Sequence, residues 1–349
     1  MTARFTESTR NAADPSILNR GLPRGQQADR RVPATNAGKR GGRVAAGGVR
    51  AGTRGVLVAF AVFTLLAANL LLVLTGSTDR LFAWTIAAEP TAAFLGAGYA
   101  AGFVLSLLAL RQQRWSRIRV AMLTVTAFTV LTLAATVIHL HRFHLDAGGS
   151  MARSAAWLWL VVYLVIPAAC LVVVGRQERH RDRAEPVRGP MPGWLVAVLA
   201  AQGLTLFVAG AVLFAGGATR HHHMPNDWTG FWPWPLTPLT AQAVGAWLIA
   251  FGFAAAVAIR ERDLSRGLVP AVSYTAFGVF ELLVVLRYRT QASADDPWLW
   301  AYVAVLATIA AAGGYGWRAA LRPPRAAHAG NDAAERSPSG AGQPAPGGG

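Results

Sequence analysis

The sequence predicts an all-α membrane protein, with eight transmembrane helices in two parallel four-helix repeats, both termini cytoplasmic and both tails disordered. Three observations predict this. The 349 residues are 53% hydrophobic and only 14% charged, well short of the quarter or so of charged residues usual in soluble domains. Eight apolar runs, at 55–74, 91–110, 118–140, 155–174, 194–215, 241–259, 268–286 and 298–317, are each long enough to cross a hydrocarbon core about 30 Å thick. Residues 91–140 recur, ungapped and shifted by 149 positions, as residues 240–289, with fifteen of the fifty pairs identical. The repeated stretch holds two of the apolar runs, so what is duplicated is a membrane module.

Residues 1–53 are rich in Arg, Gly, Ala and Pro and show no apolar periodicity. Such a segment cannot bury enough surface to offset chain entropy, so a disordered basic tail is expected. The first apolar run follows this long polar stretch and has no small-residue cleavage site behind it, so it is expected to stay in the membrane. The first repeat spans 54–175. In lipid every backbone N–H and C=O needs an internal partner, so its four spans must be helices. A charged cytoplasmic linker follows at 176–193, carrying Arg176, Glu178, Arg179, Arg181, Asp182, Arg183, Glu185 and Arg188. The second repeat spans 194–320, and a second Pro- and Gly-rich tail occupies 321–349.

Charge orients the spans. Of the 33 Lys and Arg residues, 27 lie in the N-terminal tail, at the turns after the second, fourth and sixth spans, or in the C-terminal tail. The alternate loops hold only Arg80, Arg142, Arg153, Arg220, Arg287 and Arg289. Cationic side chains resist translocation, so the arginine-rich side is expected in the cytoplasm. The net charge of +16 therefore reads as membrane orientation and excludes nucleic acid as the expected partner. Four crossings return a chain to the side it started from. The halves should thus be parallel and related by a pseudo-two-fold axis along the membrane normal.

The residues that could carry chemistry are few. His139, His141 and His144 lie at or just after the end of the third span, and His221, His222 and His223 follow the fifth. They are candidate ligands for Zn²⁺ or Cu²⁺, with Met224, Asp146 and Asp227 near by; solvated loop histidines or a pH sensor are the competing readings. The second half has Tyr288 opposite His139. Glu281 is an acidic residue inside a span, opposite Thr132 in the first half. Intramembrane carboxyls mark an ion pair or a functional site, so Glu281 is expected either to pair with Arg287 or Arg142 or to serve a transport path. The tryptophans Trp84, Trp157, Trp159, Trp228, Trp232, Trp234, Trp298 and Trp300 cluster at outer loops and helix ends, where an aromatic belt is the simplest explanation. Gly96-Ala97-Gly98-Tyr99-Ala100-Ala101 formally fits a dinucleotide pattern, but no strand precedes it. Gly98-x-x-x-Gly102 reads instead as a close helix contact. The single cysteine, Cys170, allows no intramolecular disulfide. No catalytic residues and no cofactor are expected, and the chain is not read as an enzyme.

Phe82-Ala83-Trp84-Thr85-Ile86, Thr91 to Tyr99, His141-Arg142-Phe143-His144, Ala156-Trp157-Leu158-Trp159 and Trp234-Pro235-Leu236-Thr237-Pro238-Leu239-Thr240 together resemble a family of multi-pass integral membrane proteins from GC-rich, actinobacterial-type bacteria. The resemblance covers roughly 55–320, implies a bacterial plasma-membrane location, and implies no known activity. The best functional expectation is a small-solute transporter or permease, with the lipid bilayer and a small solute or ion as partners. The alternative is a non-catalytic scaffold, or a pH or metal sensor using the outer histidines. A lipid- or isoprenoid-modifying enzyme ranks last.

Overall fold

A computed structural model describes residues 48–146, 148–180, 187, 189–218, 230–291 and 293–322. Among them every regular element is a helix. Eight helices are long and apolar enough to cross a membrane: α1 (Ala51–Val73), α2 (Glu89–Leu110), α3 (Trp115–Ile138), α4 (Ser150–Arg179), α5 (Gly193–Gly217), α6 (Pro238–Glu261), α7 (Leu268–Arg287) and α8 (Pro297–Leu321). The protein therefore has the build of a polytopic membrane protein. The predicted tails fall almost wholly outside the described residues, as does 181–186 of the predicted linker.

The helix ends follow local chemistry. Thr237 caps α6 in a reciprocal box with Thr240, and Pro238 opens the helix at a position where its missing N–H costs nothing. Asp296 caps α8 by accepting from the Trp298 N–H at 2.9 Å. The helix α4 has 30 residues, or about 45 Å at 1.5 Å per residue, which is longer than its apolar run at 155–174. Ser150–Arg153 and Arg176–Arg179 extend it as polar turns, so the predicted linker begins as helix.

Small residues let sequential helices pack as hairpins. Between α5 and α6, a Cβ on Gly210 would lie 2.8 Å from the Gly245 carbonyl oxygen, and one on Gly252 would lie 2.6 Å from that of Gly203. Gly96 brings α2 against Leu71 and Leu72 of α1, and Gly278 and Gly313 join α7 to α8 in the same way. The halves then meet through α2 on α7 and through α3 on α6. An aromatic column fills the middle of this seam. Phe128 stacks on Trp247 at 3.9 Å, Tyr99 meets Trp247 at 5.5 Å, and Phe251 meets Phe277 at 4.4 Å. Trp247 occupies the space above Gly98, where a Cβ would stand 2.8 Å from the indole. The close contact expected at Gly98 is thus made, with α6.

At the arginine-rich end an ion-pair cluster ties the halves together. Arg119 bonds Glu178 of its own half (2.8 Å) and Glu261 of the other (2.6 Å). Glu261 also takes Arg266 (3.0 Å), and Arg266 reaches Asp263 (3.1 Å). Charges shared this closely at a helix terminus hold their partners in register more than they add net stability.

Candidate functional site

Phe277, Glu281, Val284 and Tyr288 lie at four- and three-residue steps, so they share one face of α7. That face meets α2: Phe277 packs on Phe94 at 5.9 Å, and Val284 and Tyr288 cluster with Ala93 and Ala97. Glu281 lies between these contacts, 0% exposed. It sits six residues before the end of α7, about 9 Å along the helix. Among the described residues it has one partner, the Tyr302 hydroxyl of α8, which donates to Oε2 at 3.1 Å. Its Oε1 has no hydrogen-bond partner among those residues. A buried carboxyl with a single hydrogen bond is costly to keep charged, so a proton or a cation is its natural companion.

Neither arginine considered as a partner takes that place. Arg287 donates to the Leu72 carbonyl at the end of α1 and sits over the Tyr288 ring, 5.2 Å from its centroid. Arg142 lies in the 3-10 turn Leu140–Arg142 after α3.

The segment leading into α6 folds down over the site. Trp232 and Trp234 contact the Tyr302 ring at 5.3 and 5.7 Å, and Trp234 donates to the Thr91 hydroxyl at 2.9 Å. The Trp232 Nε1 is buried without a partner among the described residues. Beneath these indoles is a cavity of about 130 Å³ walled by Phe94, Leu206, Trp232, Phe277, Tyr302 and Ile309. The first half carries a related arrangement. Tyr163 of α4 shares a hydrogen bond with Tyr99 at 2.8 Å and lies beside Thr132, the repeat position of Glu281. In each half a tyrosine of the fourth helix therefore reaches the same position of the third helix, but only the second half places a carboxyl there.

The tryptophans divide into two groups, which the belt expectation did not foresee. Trp157 and Trp300 are 57% and 60% exposed, as a belt requires, whereas Trp84, Trp232 and Trp234 are 3%, 7% and 8% exposed. The buried group packs inward because its loops fold back over the helix ends: Trp84 touches Trp159 at 4.8 Å and Phe143 at 5.3 Å. Trp228 lies outside the described residues.

The histidines have separate tasks. The His139 Nε2 donates to the Gly217 carbonyl at the end of α5 (2.9 Å). Burial lowers its pKa, with His141 and Arg142 pushing the same way. The His144 Nδ1 donates to the Phe82 carbonyl, and its Nε2 then accepts from Thr85, both at 3.1 Å. This use of both nitrogens fixes the tautomer and leaves neither free for a metal. His141 stands 6.1 Å from His139, ring to ring. Among the described residues no three His, Cys, Asp or Glu side chains converge as a metal site; His221, His222 and His223, with Met224 and Asp227, lie outside them.

Sequence reasoning missed Tyr302 as the partner of Glu281 and Trp232 as a neighbour of Tyr302, and it missed Arg119 and Glu261 as a cross-half pair. The one available signal was spacing: Tyr302 comes just after Trp298 and Trp300 in a Trp-Leu-Trp that α4 also contains, at Trp157-Leu158-Trp159. No protein family, curated protein or solved structure matches the chain.

Proposed function

We propose that the chain is a small-solute transporter of a bacterial plasma membrane, not an enzyme. It is built of two parallel four-helix halves with both termini cytoplasmic, and Glu281 is its working carboxyl. The observation that carries this reading is the setting of Glu281: fully buried in the seam between α2 of one half and α7 of the other, one oxygen unpartnered. Transporters built from repeats hold their sites at such seams, and intramembrane carboxyls are retained where they work.

Parallel halves are supported by contacts that come in equivalent pairs. The contact of α2 with α7 has the contact of α6 with α3 as its repeat mate. His139 at the tip of α3 bonds Gly217 at the end of α5, while Tyr288 at the tip of α7 bonds Thr75 just past α1 (2.9 Å). Trp247 also touches Gly98, its own repeat mate, and equivalent residues meet only beside a two-fold axis. The aromatic column closes that axis here, so solute would pass when the halves part, not through a standing pore.

The second reading, a pH-responsive scaffold, draws on His139, a buried imidazole bonded to Gly217 at the junction of the halves, whose pKa burial lowers. Uptake separates the two. Proteoliposomes given radiolabelled amines, amino acids, sugars and metal cations under an imposed pH gradient should accumulate at least one class above protein-free liposomes. Folded protein that moves none of them would contradict transport and leave the scaffold.

A further inference from the structure

We propose that the cavity beside Tyr302 binds a lipophilic amine, an apolar organic group with a protonated nitrogen, and that Glu281 is its counter-ion through the Tyr302 hydroxyl. This deepens the transport reading by naming the class of solute; binding itself does not depend on that reading, and only the passage of the bound amine across the membrane does.

Two features of the wall select this class. Its rings form an aromatic box: Phe94 meets Trp232 at 5.5 Å and 85°, and Trp232 meets Tyr302 at 5.3 Å and 61°. Ring faces attract cations and exclude anions. The Tyr302 hydroxyl spends its proton on Glu281 Oε2, which leaves its oxygen able to accept. An ammonium N–H in the cavity can donate to that oxygen, so the chain of hydrogen bonds runs from cation to tyrosine to carboxylate, each link strengthening the next.

Shape and access fit an apolar body. The cavity has room for about 130 Å³, and it is flanked by Thr205, Trp298 and Ala301, all exposed on the surface that would face lipid. A ligand arriving there comes from the membrane and needs a large apolar part. The first half offers an internal control. A cavity of about 90 Å³ beneath Phe82 is lined by Tyr99, Trp159 and Tyr163, but Thr132 stands where the second half has Glu281. It can hold an apolar body and has no carboxyl to favour a charged one.

The test is binding to full-length protein in phosphatidylcholine nanodiscs at neutral pH, with partition into empty discs subtracted. The probes are 4-phenylbutylamine, protonated under these conditions, and 4-phenylbutanol, of equal size and uncharged. The amine should bind at least about tenfold more tightly than the alcohol. Glu281→Gln should erase that preference while alcohol binding stays at the wild-type level, which shows that the variant keeps the cavity. Equal affinity of wild type for the two probes would overturn the proposal, as would a Glu281→Gln protein that still prefers the amine. An amine preference without amine uptake upholds the site and defeats transport of amines. Uptake of another solute class with no amine preference defeats the site and leaves transport standing.

Discussion

Glu281→Gln should lower solute uptake into proteoliposomes about a hundredfold, a loss of roughly 2.7 kcal/mol in the rate-determining step, while yield and monodispersity stay at wild-type levels. Glutamine keeps the shape of the side chain, and its carbonyl can still accept from the Tyr302 hydroxyl, 3.1 Å from Oε2 in the native protein. What it removes is the site's capacity to bind a proton or balance a cation. It also removes the cost of a carboxyl at a position that is 0% exposed, so thermal stability should hold or rise. Glu281→Asp restores the charge on a shorter arm and should recover part of the flux. Uptake by Glu281→Gln at the wild-type rate would take Glu281 out of the mechanism.

The largest structural effect is expected at Gly210. A Cβ there would meet the Gly245 carbonyl oxygen, the Ile249 amide nitrogen and the Leu248 Cβ, all at 2.8 Å. Two of those atoms are backbone and cannot swing away, so Gly210→Leu must push α5 off α6. Overpacking a closed interface typically costs about 1–3 kcal/mol. A whole leucine side chain set against backbone should exceed the upper figure and abolish recovery of monodisperse protein. Gly314→Leu is the control, because nothing lies within 4 Å of a Cβ at that position of α8 and it should purify normally. Comparing the two by size-exclusion chromatography and thermal unfolding checks the prediction; equal behaviour would mean that α5 and α6 are not in this close contact.

Much of the architecture was legible in the sequence, because a bilayer imposes one strong requirement, a long apolar run for each crossing. The eight runs correspond one for one to α1–α8, and the polar turns that lengthen α4 carry no apolar signal to reveal them. Which helices touch was not legible. Trp247 seated on Gly98 depends on two positions 149 residues apart in the chain, and neither residue type announces the other. Glu281 stood out as an acid inside a span. Tyr302 did not, since a tyrosine near the end of an apolar helix reads equally as core or belt. Trp84, Trp232 and Trp234 were misread for a related reason: composition places indoles at the interface, and only the fold of the loops turns them inward. Arg119 was counted only as an orientation signal at a span end, and Glu261 drew no reading at all, because a paired charge and a solvated one look alike in sequence.

Parallel halves in a bilayer can be tested most directly by single-cysteine labelling in a Cys170→Ser background. Gly149→Cys and Ser293→Cys mark the arginine-poor loops of the first and second halves, and Gln112→Cys and Arg262→Cys mark the arginine-rich turns. A membrane-impermeant maleimide should modify the first two in intact cells and the second two only after permeabilisation. Labelling of Gly149→Cys and Ser293→Cys from opposite sides of the membrane, or of both only from the cytosol, would contradict it.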